Sequence, residues 1–505
     1  MRGNSFLISL IILTLSFISS SCSCPSGQVR NDFQACVNQG LMIPSPSPSP
    51  GPEPEPEPEP SPIVLPSIEE NISTGERILI KGNKNKFMED GIVFFQQGDY
   101  KNAKQEFSKA KLATNPEPLI YKNNSAANLQ NKAPFRIAVT VPIASNINNA
   151  EEILRGVAQA QQEYNQRQEG TGNRLLEVVI ANDGLVGKKA QEEEAMLRNI
   201  AEYLANDLSI LGIVGHNSSK ATSIGLETYE KYSLATLSPT STSVNLSNEV
   251  FFRLSPSDEI SARKLSCHAR SIHGKEVSAF VFYDSNSDYS ESFKEQFKFS
   301  LGENSFVFDK NMSAQDFDVD SALQLAYERD VDVILLVPGA NSSELAINVA
   351  ITHRRNADYA NSISLLGGDS LYGKEKLENG ADSLEGLVIP VSWFSEVASS
   401  KLFYEKGLKQ WKGGKVNWRT AMSYDATRAL LQAFSQSLDV SRPQVISDLK
   451  NVRVVDSETS GSPLRFDYKG NRELEPVLIK VEPDINASSS SEPKYVLLDS
   501  PCNQL

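Results

Sequence analysis

From Phe135 to about Pro483 the chain repeats one pattern, a short apolar run followed by a longer amphipathic segment, and this limits the fold more than any other feature. The runs at 136–141, 175–181, 209–214, 234–237, 277–283, 333–337, 363–366 and 387–390 are continuously apolar, so both faces of each strand must be covered. Segments 151–165, 188–205, 219–231, 259–272 and 322–329 read as the covering helices. The pattern predicts an α/β fold with parallel sheets. About 350 residues is more than one such sheet normally uses, so two lobes are expected.

The N-terminal part has a different composition. Arg2, an apolar run from Phe6 to Ile18 and three serines at 19–21 read as an export signal over 1–21. The run is shorter than the about 20 residues needed to cross a bilayer. Cys22 stands where a lipoprotein cysteine would, which leaves cleavage and lipidation both open. In the segment 22–43, Cys24 and Cys36 are expected to close a local disulfide, whereas Cys267 and Cys502 either pair or remain as thiols. Proline occupies every second position from Pro44 to Pro62, alternating with serine and then glutamate apart from Gly51, so 44–66 reads as a stiff linker. At about 3.1 Å per residue it would hold the rest of the molecule roughly 60 Å from its attachment. A disordered tail of biased composition is the alternative. Residues 86–130 place small residues at Gly91, Ala103 and Ala110 and aromatic ones at Phe94, Tyr100 and Phe107. This spacing resembles a tetratricopeptide repeat, which alone would be marginally stable or would dock on something. Residues 483–505 form a C-terminal tail.

Acidic residues number 63 against 49 basic ones, a formal net charge of −14 that disfavours nucleic acid as a partner. The four histidines show no ligand spacing and no paired-cysteine motif occurs, so neither a metal nor another cofactor is expected. Nucleophile-elbow, phosphate-loop and dinucleotide motifs are also missing, so no residue is assigned a catalytic role. The informative stretch is Ile213 to Asn245. There two apolar strands run into hydroxyl clusters, Gly215-His216-Asn217-Ser218-Ser219 and Ser238-Pro239-Thr240-Ser241-Thr242. The first opens a helix, whose free N–H groups favour an anion. The alternative is that these residues serve only as caps and turn formers.

These fragments, with Arg155-Gly156-Val157, Ala181-Asn182-Asp183, Val281-Phe282-Tyr283-Asp284, Gly367-Gly368-Asp369, Ser423-Tyr424-Asp425-Ala426 and Phe466-Asp467, occur in an order and spacing with a known parallel. They resemble the type I periplasmic solute-binding proteins, in particular the branched-chain amino acid and amide-binding family of ABC transporters. The resemblance implies a two-lobed fold with Rossmann-like parallel sheets and three hinge crossovers over 135–482. Lobe one would span about 135–257 and 395–450, and lobe two about 258–394 and 451–482. It further implies that Ser218, Ser219, Thr240 and Thr242 hold a ligand carboxylate, that Asp369 faces its ammonium, and that Tyr289 forms a wall. The small, polar Gly339-Ala340-Asn341-Ser342, where an aromatic residue is usual, argues against a strictly aliphatic ligand.

The expected function is therefore capture of a small amino acid or amide-like molecule outside the cytoplasm, in the periplasm or cell envelope, and delivery to a membrane permease. The alternative is an envelope-tethered scaffold, like the lipoprotein activators of peptidoglycan synthases, or a sensor, with 86–130 contacting a protein partner.

Overall fold

A computed structural model describes residues 67–504 apart from 83–84, 111–114, 168–170, 185–189, 412–415, 437–439 and 484–492, together with 24, 26, 28–30 and 36–38. The expected export signal, Cys22 and the proline-rich segment lie outside the described residues. The chain divides into two units, 1–62 and 63–505. In the first, β1 (Gln28–Arg30) and β2 (Cys36–Asn38) pair antiparallel. Cys24 there is disulfide-bonded, and the side chain of its expected partner Cys36 is outside the described residues.

The second unit carries two sheets. The first runs β3-β5-β4-β6-β7-β8. Its strands are β3 (Ile72–Ser73), β4 (Phe135–Val141), β5 (Leu176–Asn182), β6 (Ile210–Val214), β7 (Thr236–Ser238) and β8 (Phe251–Arg253). All are parallel except β3, an antiparallel edge strand on β5. The second sheet runs β10-β9-β11-β12-β13-β14-β15. It contains β9 (Ser278–Tyr283), β10 (Phe306–Asn311), β11 (Val333–Val337), β12 (Ser364–Gly367) and β13 (Val388–Val391), all parallel. Two antiparallel strands, β14 (Val477–Pro483) and β15 (Pro493–Leu497), finish it. The continuously apolar runs are buried along their length, as Val333–Val337 illustrates, because helices cover both faces of a parallel sheet.

Before the first lobe come α1 (Lys86–Gln96), α2 (Tyr100–Lys109) and α3 (Glu117–Asn128). The helical spacing Met88, Gly91, Phe95 faces inward, so Phe95 is buried while Phe94 is only part-buried. A Cβ at Gly91 would lie 2.6 Å from the Phe107 ring, which explains glycine at that crossing. The segment is docked on lobe one. The Asn124 amide bonds to both the N–H (2.9 Å) and the carbonyl (2.7 Å) of Val178 on β5, standing in for a neighbouring strand beyond the short β3. The Glu117 carboxylate accepts from the Leu79 N–H at 2.6 Å and from the Tyr121 hydroxyl at 2.8 Å.

Lobe one is then built with α4 (Ile147–Arg167), α5 (Ala190–Asn206) and α6 (Ser219–Tyr229). Lobe two uses α7 (Asp258–His273), α8 (Asp288–Leu301), α9 (Val319–Glu328), α10 (Ser343–Arg355) and α11 (Lys374–Gly380). The chain returns to lobe one through α12 (Leu402–Gln410), α13 (Trp418–Phe434) and α14 (Arg442–Lys450). Gly156 on α4 sits where a Cβ would strike Ser423 and Thr420 of α13, so glycine there lets the two central helices touch.

Three connections cross between the lobes: 254–257, 392–401 and 451–476. The third is anchored by a buried ion pair, Arg472 to Asp425 of α13 at 2.6 Å, both side chains 0% exposed. Asp425 also accepts from the N–H and the hydroxyl of Ser460, each at 2.6 Å. Cys267 on α7 and Cys502 form a disulfide, resolving the choice left open by the sequence, and this ties the tail after β15 to lobe two.

Two outcomes follow. Replacing Asp425 by Ala leaves the Arg472 guanidinium buried without its partner and should cost about 3–5 kcal/mol in a urea melt. Replacing Asn124 by Ala should expose 86–130 to limited proteolysis while the lobes remain protected, because the docking bonds to Val178 are lost.

Candidate functional site

The site is built where strands of lobe one end. At the end of β6, Gly215 to Asn217 lead into α6, with Ser218 as its N-cap, its hydroxyl accepting from the Ala221 N–H at 3.1 Å. At the end of β7 the second hydroxyl turn folds back on the first. Ser238 donates to the His216 carbonyl at 3.0 Å, Thr240 to the Asn217 carbonyl at 2.7 Å, and the Ser219 hydroxyl accepts from the Ser243 N–H at 3.3 Å. The two turns thus form one stitched rim. The first N–H groups of α6 have no helical partner and point out of this rim, as at any helix start.

His216 is held beneath the rim. Its Nδ1 lies 2.6 Å from Asp183 and its Nε2 3.1 Å from the Tyr229 hydroxyl, so both ring nitrogens are engaged by neighbours other than a serine.

Lobe two faces the rim with Tyr289, the second residue of α8, and Asp369, which follows Gly367-Gly368 at the end of β12. A Cβ at Gly368 would strike the Tyr289 hydroxyl, so the glycine is what admits the phenol. Ser218, Ser219, Thr240, Tyr289 and Asp369 line one interlobe cavity of about 60 Å³. Thr242 does not line it: it is 3% exposed behind the rim, with its hydroxyl beside the Asp258 carboxyl.

The cavity also contains residues that the sequence pattern did not single out. Arg419, at the start of α13, stacks on Trp418 with its guanidinium 4.4 Å from the ring centroid. It pairs with Glu152 at 3.1 Å and donates to the Tyr372 carbonyl at 3.3 Å. Asn146, Asn149 and Asn217 add amide groups. Trp418-Arg419 reads in the sequence as an ordinary helix start. Only the packing of α13 against α4 turns it toward the cleft.

Charge is arranged asymmetrically. Burial raises the Asp369 carboxyl above the usual range, with the nearby Arg419 opposing it. Burial and then the carboxylates of Asp369 and Asp258 push the Tyr289 phenol well up, so it remains a neutral donor. Asp258, the first residue of α7, is fully buried and pushed up to about 7, mainly by burial. One side of the cleft therefore offers N–H and hydroxyl donors and the other offers carboxylates, which suits a dipolar guest.

Among the described residues no helix is long and apolar enough to cross a membrane. No curated protein matches the chain. Several solved structures share its fold. A leucine-binding protein from Thermotoga maritima is 19% identical, with a TM-score of 0.60 over 72% of this chain and 99% of that one. The branched-chain amino acid transporter substrate-binding protein of Streptococcus pneumoniae, in complex with isoleucine, is 17% identical, with a TM-score of 0.58 over 72% and 100%. A solute-binding protein from Rhodopseudomonas palustris, in complex with 4-hydroxybenzoate, is 14% identical, with a TM-score of 0.59 over 72% and 96%. The family model described as periplasmic binding protein matches residues 134–476, and with both lobes present over that span the chain belongs to this family.

Proposed function

We propose that this chain is an exported, non-enzymatic substrate-binding protein that captures a small amino acid or amide-like ligand between its lobes and presents it to the permease of an ABC transporter. The observation that carries the reading is the opposition across one cavity of the Ser218–Ser219 and Thr240 rim to Asp369 and Tyr289. A carboxylate suits the free N–H groups at the start of α6 and the Ser218 and Ser219 hydroxyls. Thr240 is assigned a different part: its proton goes to the Asn217 carbonyl, so it holds the rim and offers a ligand only lone pairs. Thr242, behind the rim, is given no direct ligand contact in this reading.

The lining narrows the ligand, because asparagine, serine and Ala340 stand where an aliphatic side chain would need apolar walls. The docked 86–130 segment supports a second reading, a sensor or scaffold that signals ligand occupancy to a protein partner.

A thermal-shift panel of the amino acids and small amides separates these readings. A ligand at about 100 times its dissociation constant adds about 2.7 kcal/mol of stability. We expect a clear shift from a small polar amino acid, lost in Ser219→Ala and in Asp369→Asn, while Thr240→Val is expected to weaken binding only through the rim. No shift from any compound with the folded protein would overturn ligand capture and favour the scaffold.

A further inference from the structure

The edges of the two large sheets are not treated alike. Beyond β3 the first sheet is continued by Asn124. At β8 it is closed by the third crossover, where the Arg253 N–H donates to the Gly470 carbonyl and the Arg472 N–H to the Arg253 carbonyl, each at 2.8 Å. The β10 edge of the second sheet is left open. Its ladder with β9 begins with the Phe306 N–H on the Val277 carbonyl at 3.1 Å and ends with the Met312 N–H on the Tyr283 carbonyl at 2.7 Å. Alternate residues of a parallel strand bond the same neighbour, so Phe306, Phe308 and Lys310 direct their backbone groups at β9. Val307 and Asp309 turn theirs outward, and among the described residues nothing bonds them.

Side chains alternate as well. Phe306, Phe308 and Lys310 share one face, on which Phe306 is 69% exposed and the Arg329 guanidinium lies 4.7 Å from the Phe308 ring centroid. Val307 and Asp309 share the other, where Val307 packs inward and the Asp309 charge favours the nearby Lys294 ammonium. Phe299 on α8, the helix that leads into β10, is 80% exposed. An open strand edge with exposed aromatic residues is a template for another strand.

We propose that β10 is where two copies of this chain meet, by antiparallel pairing about a two-fold axis at Phe308. The register follows from the ladder. With the axis normal to the sheet at Phe308, Val307 lies opposite Asp309 of the second copy and exchanges both backbone bonds with it. The axis repeats that pair, so every outward N–H and carbonyl of these two residues is satisfied at once. Phe308 then meets its own copy and Phe306 meets Lys310 of the second copy, both at the close, non-hydrogen-bonded positions of the ladder. Aromatic pairing and a cation over a ring are both favourable there. Lysine on an edge strand ordinarily discourages pairing, but in this register it finds a phenylalanine. Neighbouring registers do worse. An axis at Val307 would set Asp309 against Ser305, whose N–H is already held by the Gly302 carbonyl at 3.2 Å, and an axis at Asp309 would set two carboxylates together. A six-residue edge buries less than a standard interface, so the dimer is weak and forms at high local concentration. It does not depend on what the cleft binds.

Sedimentation velocity of the full chain from about 10 μM to about 0.5 mM tests the proposal. We expect a monomer–dimer equilibrium that Val307→Pro weakens by at least about tenfold, because proline removes one outward donor on each side of the axis and none of the bonds to β9. The register is read by cross-linking. Under mild oxidation a mixture of Phe306→Cys and Lys310→Cys copies should give a disulfide dimer joining positions 306 and 310, whereas either variant alone holds its two new thiols too far apart to bridge. These substitutions touch no backbone bond, so they decide the matter should Val307→Pro fail to fold. Monomer mass at every concentration, a dimer that Val307→Pro leaves unchanged, or equal cross-linking in either variant alone would overturn the pairing. So would a monomer whose edge binds an added alternating Val-Lys peptide, lost in Val307→Pro, which would assign β10 to a strand of another protein.

Discussion

The last crossover is tied to lobe one by one buried contact, the Arg472–Asp425 pair. Asp425 sits at the middle of the buried helix α13, and Arg472 belongs to the last crossover before lobe two closes its sheet. Neither charge reaches water, and burial raises the Asp425 carboxyl, opposed first by Arg472 and then by Ser460. A contact of this kind adds little net stability over an apolar substitute, but it tolerates no misregistration. It fixes which turn of the crossover meets which turn of α13. The same helix carries Trp418 and Arg419 into the cleft, so the pair indirectly sets the position of the site.

The additions at the two ends of the family core are structural parts of the lobes. The N-terminal helices lean on lobe one through Asn124 and Asn128, and β3 continues its sheet. The C-terminal strand β15 extends the sheet of lobe two and is tied by the Cys267–Cys502 disulfide. Its Tyr495 hydroxyl donates to the Leu371 carbonyl at 2.9 Å and stacks its ring on Tyr372, two and three residues from Asp369 in the chain. Each addition therefore packs on a single lobe.

Much of the fold was legible because its cause is local. Continuously apolar runs such as Val333–Val337 require cover on both faces, and helix spacing supplied the cover. The helical segment was legible as helices, but the identity of its buried aromatic was off by one residue, Phe95 rather than Phe94. Two adjacent phenylalanines satisfy a sequence pattern equally, and only the Gly91–Phe107 crossing selects between them. Cys267 and Cys502 could not be paired from sequence, since the two positions are brought within 6.0 Å only by the folding of lobe two.

For the site, the sequence by itself determined the chemical alphabet: hydroxyl turns at the ends of two strands, a helix start to receive an anion, and an acid after a double glycine. Those features lie within short stretches of chain, where backbone geometry dictates what a residue can do. The tertiary structure decided which of them meet and in what state. It directed the Thr240 proton to a carbonyl, drew Thr242 behind the rim, turned Arg419 into the cleft and buried Asp258 beside the second hydroxyl turn. Hydrogen-bond direction, burial and the company of other charges are properties of the assembled core, and residues far apart in sequence supply them.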